Sequence, residues 1–397
     1  MALRTIKSGS IKNYSITGDN IADGSFTLDY LPNNVSYPIL VSNIIYTDLN
    51  FTNTASNSTS SIGGFIKLLG SGFSPNTNVY IGDVLLSTTN VIYVSNSVIH
   101  LSTPNLATGT YNLIAVKPDG TTSIRMNSIT LVDPSFTMEY LVVAGGGSGG
   151  SSFYAAGGGA GGYREGNLLI SGANFLTNLA VIVGAGGSSL PADSPGTNGS
   201  NSSFITISAT GGGREGARGG SSGGGGGAGN LGGYTPAEGS AGGTATSDGA
   251  NYVTNGGGGG AGGAGSNGNS SSPWQGGVGG PGRYSTISGS NVAYAGGGGG
   301  GAGANSPRVS IPSSGGVGGG GTGGSWCSGG MTSGDVNTGG GGGGGAGGAR
   351  AVGCPGGSGI VILSYSGAQK AIGGTVTTCL GKTIHTFTSS GNLCITG

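Results

Sequence analysis

Charged side chains make up only 7% of this 397-residue sequence, and its 14 basic and 14 acidic residues cancel. Ordinary proteins carry about 25%. Lys and Arg form no cluster, so the electrostatic footprint that nucleic acid or an anionic membrane surface requires is missing. Neither is expected as a partner. Long apolar runs are also missing. Nothing approaches the ~20 residues that span a bilayer, so membrane insertion is not expected. The opening Met1-Ala-Leu-Arg-Thr-Ile-Lys7 lacks the apolar core of a signal peptide, and synthesis in the cytoplasm without export by general secretion is expected. Cysteine is confined to Cys327, Cys354, Cys379 and Cys394, with no Cys-x-x-Cys spacing and only His100 and His385 to assist. No metal or other cofactor is expected.

Catalytic chemistry is as sparse as charge. Between Ala144 and Gly359 there is no Lys and no His, and the acids Glu165, Asp193, Glu215, Glu238, Asp248 and Asp335 stand apart. Paired carboxylates, as glycoside cleavage needs, find little support. Gly146-Gly-Ser148-Gly-Gly150 formally matches a nucleophile elbow, but no helix pattern follows it and no histidine comes before His385. Gly-x-Gly-x-x-Gly matches inside glycine runs carry no phosphate-binding signal without a lysine and a strand–helix context. The protein is expected not to be an enzyme, with no catalytic residue.

What the sequence has in excess is glycine, at 97 positions. Its distribution divides the chain. Residues 1–60 are polar and rich in Asn, Ser, Thr and Ile, and read equally as a docking segment or a flexible leader. Residues 61–134 alternate strand-like runs (62–69, 78–81, 91–94, 98–101, 109–116, 128–132) with close turn signals such as Gly82-Asp83 and Pro118-Asp-Gly120, which predicts a small β-sandwich. Residues 135–366 are glycine-dominated: 81 glycines fall between Gly145 and Gly359. The runs 223–227, 256–260, 296–301 and 339–345 recur loosely, without the Gly-x-y triplet of collagen. Apolar strands are expected within this region at 139–144, 167–170, 179–184, 203–209 and 360–365. Residues 367–397 complete the chain as a β-hairpin segment, with a hairpin over 382–396. Sustained 3.6-residue periodicity is absent, so almost no α-helix is expected.

Two resemblances follow from these residues. Gly70-Ser-Gly-Phe73-Ser, Val79-Tyr-Ile-Gly82, Leu106-Ala-Thr-Gly-Thr-Tyr111 and Val116-Lys-Pro-Asp-Gly120 resemble an IPT/TIG domain, an immunoglobulin-like module that implies an architecture and no particular function. Glu139-Tyr-Leu-Val-Val-Ala-Gly-Gly-Gly147, Gly159-Ala-Gly-Gly-Tyr-Arg-Glu165, Val183-Gly-Ala-Gly-Gly187 and Gly359-Ile-Val-Ile-Leu363 resemble the glycine-rich domain of phage tail fibres and related virion proteins. Thr383-Ile-His-Thr-Phe-Thr-Ser-Ser-Gly391 resembles a segment that in such proteins precedes the Tyr-Leu-Val-Val-Ala strand; here it follows the domain.

The second resemblance implies extended polyglycine II helices packed side by side. Their shape, like polyproline II, has three residues per turn and no internal hydrogen bonds. Amides then bond laterally, every third residue faces one neighbour, and a Cβ would hold the backbones apart. Strands 139–144 and 360–365 are expected to clamp the ends. Specificity is left to the connecting segments 188–203, 230–255, 266–295, 305–314 and 325–338. Their aromatics and cations supply the receptor-binding candidates Tyr234, Tyr252, Trp274, Arg283, Tyr284, Tyr294 and Trp326, because rigid aromatics among Ser, Gly and Asn suit protein and sugar recognition. The functional expectation is a virion fibre or adhesin on the particle exterior. It would bind other virion proteins through residues 1–60 and a host surface protein or glycan through its loops, with a homotrimer among the assemblies compatible with it. The alternative is a purely structural virion subunit. Cys379 and Cys394 are expected to form a disulfide once particles leave the cell, the alternative being two free thiols in a protein assembled in the cytoplasm.

Overall fold

The computed structural model describes residues 38–396, apart from 48–49, 55, 152–154, 176, 192–194, 248, 250–252, 272, 304–308, 327–328 and 347–350. Most of the amino-terminal docking segment, Tyr252 and Cys327 therefore lie outside the described residues. The protein is mostly β-structure; among the described residues helix amounts to a 3-10 turn at Gly172–Asn174. The chain divides into two compact units, Met1–Val132 and Asp133–Gly397.

The described residues of the first unit form two sheets. One runs in the order Val91–Ser95, Val98–Ser102, Phe65–Ser71, Leu40–Thr47, and the other Val84–Leu85, Asn78–Ile81, Gly109–Val116, Thr122–Val132, Thr59–Ser60. Period-2 alternation decides which residues meet between them: Ile66, Leu68, Ile99 and Leu101 from the first sheet, Val79, Ile81, Leu113, Ala115, Ile129 and Leu131 from the second. Leu40–Thr47 corrects the sequence division, which placed it in the docking segment. It pairs antiparallel with Phe65–Ser71, and a register shift between Val41 and Asn43 breaks its alternation and hides the strand. Ile39, Val41 and Tyr46 are nevertheless buried. The Tyr111 hydroxyl donates to the Ala107 carbonyl four residues upstream, at 2.8 Å.

The second unit is built on two five-stranded sheets. The first runs Tyr163–Ile170, Phe136–Val143, Ile360–Ser366, Lys382–Phe387, Thr375–Cys379; the second runs Ile207–Ala209, Ser202–Phe204, Asn178–Ile182, Gly391–Ile395, Ala371–Ile372. Within these strands, 140–143 and 360–363 are continuous apolar runs because both faces of their sheet are covered there. Met138, Tyr140, Val142, Val361, Leu363 and Tyr365 pack with Phe204, Leu393 and Ile395, while Leu141, Val143, Ile360 and Ile362 pack with Ala261, Ile287 and Tyr294. These two strands do not clamp opposite ends of the glycine region. They pair with each other, Val143 opposite Ile360, so the chain enters and leaves the region at one place.

The carboxyl-terminal residues differ from expectation. Lys382–Phe387 pairs with Thr375–Cys379 and Ile360–Ser366, and the chain then crosses at Ser389–Ser390 so that Gly391–Ile395 joins the second sheet beside Asn178–Ile182. No hairpin spans 382–396, because Phe387 and Leu393 both bury between the sheets and a hairpin would leave one sheet a strand short. Cys379 and Cys394 consequently sit in different sheets, and Cys354, Cys379 and Cys394 are all free thiols. The expected Cys379–Cys394 disulfide is not formed in this structure.

Between the sheets' entry and exit strands, the glycine runs bond to one another with a strict rotation. Gly157 and Ala160 donate to Gly256 and Gly259, Gly158 and Gly161 to Gly342 and Gly339, and Gly159 and Gly162 to Gly213 and Thr210. Carbonyls of the same run accept from three other segments: Ala144, Gly147 and Gly150; Gly298 and Gly301; Ser221 and Gly224. One run thus has six hydrogen-bonded neighbours, three served by its donors and three by its acceptors. At Gly157, Gly158 and Gly159 a Cβ would fall on the backbone of an adjacent run. Each amide bond contributes a net ~0.5–1.5 kcal/mol, which offsets the ordering cost that apolar burial cannot meet here.

Candidate functional site

Three segments meet around an open cleft of about 410 Å³, lined by Tyr140, Tyr163, Arg164, Glu165, Thr235, Pro236, Arg283 and Tyr284. The first wall is the strand Tyr163–Ile170, in register with Phe136–Val143 so that Gly166 lies opposite Tyr140. A Cβ on Gly166 would press on the Tyr140 ring, so glycine there lets the ring lie across the strand.

The second wall is a hairpin, Arg283–Ser285 against Val292–Tyr294. The segment 266–295 is therefore partly strand rather than free loop. Glu165 fastens the hairpin to the sheet: one carboxylate oxygen accepts from the Tyr163 hydroxyl and the other from Ser285 Oγ, both at 2.5 Å. Burial first, and the adjacent Glu165 second, push the Tyr163 phenol far up, so it stays a donor. Arg283 lies 5.8 Å from the centre of the Tyr163 ring.

The third wall is the loop that presents Tyr234, Thr235 and Pro236. Asn230, with a left-handed φ of 58°, closes the loop: its Oδ1 accepts from the Tyr234 and Glu238 amides and its Nδ2 donates to the Tyr234 carbonyl. Glu238 is fully buried, accepting from the Thr210 amide at 2.9 Å and the Gly232 amide at 3.1 Å, while its carbonyl accepts from the Tyr163 amide. The Arg164 guanidinium then stacks over the Tyr234 ring at 4.0 Å.

Of the seven candidates, the structure brings three to this place: Arg283 and Tyr284 line the cleft, and Tyr234 backs Arg164. Tyr284 is 57% exposed. Trp274 stands apart in a short strand parallel to Ser310–Ile311, and Trp326 is exposed elsewhere. Tyr294 is a correction. It is 4% exposed and packs with Ile287 and Ile384, so it serves the core. Sequence reasoning missed Tyr140, Tyr163, Arg164, Glu165, Thr235 and Pro236 as site residues. The available signal was Tyr163-Arg-Glu165, an aromatic followed by a charge of each sign in a region almost devoid of charge.

A neighbouring groove of about 500 Å³ includes Glu139, Glu165, Ile287, Cys379, Leu380 and Lys382. It is larger, yet its one cation is already neutralised: Lys382 Nζ lies 2.6 Å from Glu139. The smaller cleft holds the unspent charge and is the better candidate.

Glu215 lines a third, smaller hollow with Arg214, Gly225 and Asn255. The residue is partly exposed, but its Oε2 is buried without a hydrogen-bond partner. Burial pushes its carboxyl from the ordinary 4.5 up to about 7, against the opposing pull of Arg214. A folded value above the unfolded one means stability that is complete below pH 4.5 and lost as pH rises through 7. Glu215→Gln is expected to raise the melting temperature at pH 8 and leave it unchanged at pH 4. The gain is about 1 kcal/mol once partial exposure is allowed for. Equal melting shifts at both pH values would contradict this account of Glu215.

Residues 121–366 match the family model of a glycine-rich domain. No curated protein matches the chain. The match stops before Ala371–Ile372, Thr375–Cys379, Lys382–Phe387 and Gly391–Ile395, four strands that complete the two sheets of the second unit.

Proposed function

The chain belongs to the glycine-rich domain family, and from that premise we propose that it is a bacteriophage virion attachment protein that binds the host surface through side chains displayed on a polyglycine scaffold. The observation that carries attachment is the cleft: two guanidinium groups and an exposed tyrosine, each held by a rigid wall, in a chain otherwise nearly free of charge. Rigid presentation lowers the entropy lost on binding. The likeness of Glu139–Gly147 and Gly159–Glu165 to phage fibre motifs supports the viral setting.

The finer architecture belongs to the same proposal. The three-way rotation of hydrogen bonds supports polyglycine II helices, because only three residues per turn return each third amide to one neighbour. The two-sheet sandwich, with its Tyr111 hydroxyl bonded back to Ala107, supports an IPT/TIG spacer. Residues 1–60 dock on the particle in this reading, although Leu40–Thr47 also serves the sandwich.

Purified full-length protein is expected to compete with phage particles for adsorption to host cells. Tyr284→Ala protein should compete at least about tenfold less well, with an unchanged melting temperature. If the wild-type protein fails to compete, while antibodies against the glycine region still label particles, the chain is a structural subunit.

A further inference from the structure

Two cations in one cleft call for an explanation. Among the described residues no carboxylate lies within ion-pair distance of Arg164 or Arg283. Arg164 makes one long hydrogen bond, 3.4 Å to the Ser208 carbonyl. Among the described residues, Arg283 shows an approach to the Tyr163 ring and no hydrogen bond or ion pair. A guanidinium lying against an aromatic face keeps its N–H edge free for a planar oxyanion.

The carboxylate that could neutralise them is otherwise engaged. Each oxygen of Glu165 accepts a hydroxyl, from Tyr163 and from Ser285. Two cations against one fastened anion leave the cleft with a net positive charge. The remaining lone pairs of Glu165 can still accept from a ligand hydroxyl. Beside these groups stands Tyr284, 57% exposed, whose face offers a platform for the C–H side of a ring. The volume of about 410 Å³ falls within the roughly 300–1,000 Å³ of small-ligand sites.

We propose that this cleft binds an acidic saccharide, a sugar ring bearing a carboxylate or phosphate. The anion bridges Arg164 and Arg283, the ring packs on Tyr284, and a ring hydroxyl donates to Glu165. The inference deepens the attachment reading and rests on it. A nucleic-acid backbone would need a longer track of cations than two. An acidic peptide would supply the charge but neither the hydroxyl for Glu165 nor the ring for Tyr284.

The test is calorimetric titration of the full-length protein with trigalacturonate, its methyl ester, glucose 6-phosphate, inorganic phosphate and tetraglutamate. At least one acidic sugar is expected to bind about tenfold or more tighter than the ester, tetraglutamate and inorganic phosphate, and to weaken as salt rises. Whether the carboxylate or the phosphate sugar prevails identifies the natural source. Arg164→Gln and Arg283→Gln should each weaken that binding at least about tenfold without lowering the melting temperature, and Arg283→Lys should recover part of it.

The proposal is overturned if neither acidic sugar binds tighter than the methyl ester, tetraglutamate and free phosphate, or if neither binds at millimolar concentration. Protein that binds neither acidic sugar yet blocks adsorption retains the attachment function and loses the saccharide assignment. Protein that binds one but does not block adsorption does the reverse.

Discussion

Gly342→Ala is expected to lower the melting temperature of the second unit sharply, and Gly342→Val to lower it further or prevent folding. The amide of Gly342 donates to Gly147 and its carbonyl accepts from Gly158. A Cβ added there would meet the Cys354 and Pro355 carbonyls, which are backbone and have no rotamer to retreat into. Relief requires one run to move away from its neighbour, and every lateral bond along that edge stretches with it. A cost of about 3 kcal/mol or more follows for alanine, at the upper end of ordinary substitutions.

The sign of the alanine effect separates two accounts of glycine richness. In a flexible linker Gly→Ala is neutral or stabilising by about 0.4–1 kcal/mol, because it restricts the unfolded chain. In a close-packed array the same change destabilises. Gly391→Ala is the matched control: its Cβ would sit at ordinary contact distance, 3.7 Å from the Phe387 ring. Thermal melts of the three variants decide the matter, and a Gly342→Ala protein that melts at or above wild type would rule out close backbone packing at this run.

How far the fold could be read in advance depends on which interaction holds each part. Asn78–Ile81 and Gly109–Val116 were legible to the residue because alternation and turn glycines mark them directly. Leu40–Thr47 was not, because its register shift spoils the alternation that would reveal it. Residues 203–209 read as one strand in the sequence; a tight turn at Ile205, with φ 52°, splits them into a hairpin of Ser202–Phe204 and Ile207–Ala209. Which glycine run lies beside which was beyond sequence reasoning, since backbone-to-backbone bonds leave no side-chain signature.

The site follows the same division. Tyr284 and Arg283 could be singled out as an aromatic and a cation in a connecting segment. Tyr294, ten residues further, looked equivalent and proved to be core, because the hairpin turns it toward Ile384. Arg164 lies outside the connecting segments that supply the candidates, and Glu165 stands in the sequence as an acid without a second acid beside it. Their role emerges only when Ser285, 120 residues away, reaches Glu165.

Glu238 is the second position where a large effect is expected, for a reason opposite to that at Gly342: a side chain is indispensable there. Its carboxylate is fully buried and holds the amides of Thr210 and Gly232, while its carbonyl holds the amide of Tyr163. Among the described residues no cation lies within ion-pair distance of it, so these amides are what keep a buried charge tolerable. Glu238→Ala removes the acceptor and leaves two buried donors without partners. Hydrogen bonds to a charged group contribute about 1.5–3 kcal/mol each, which places the loss near 3–5 kcal/mol. Glu238→Gln should fall between, since its amide oxygen can satisfy one donor while its NH₂ faces the other. The loop from Asn230 to Glu238 would loosen in the alanine variant, and with it the Tyr234 ring that supports Arg164. Hydrogen exchange should then accelerate at Thr210, Gly232 and Tyr163 before the rest of the unit. Cleft affinity should fall even in a Glu238→Ala protein assayed well below its melting temperature. A variant that melts like wild type and keeps those three amides protected would show that the carboxylate does not brace this wall of the cleft.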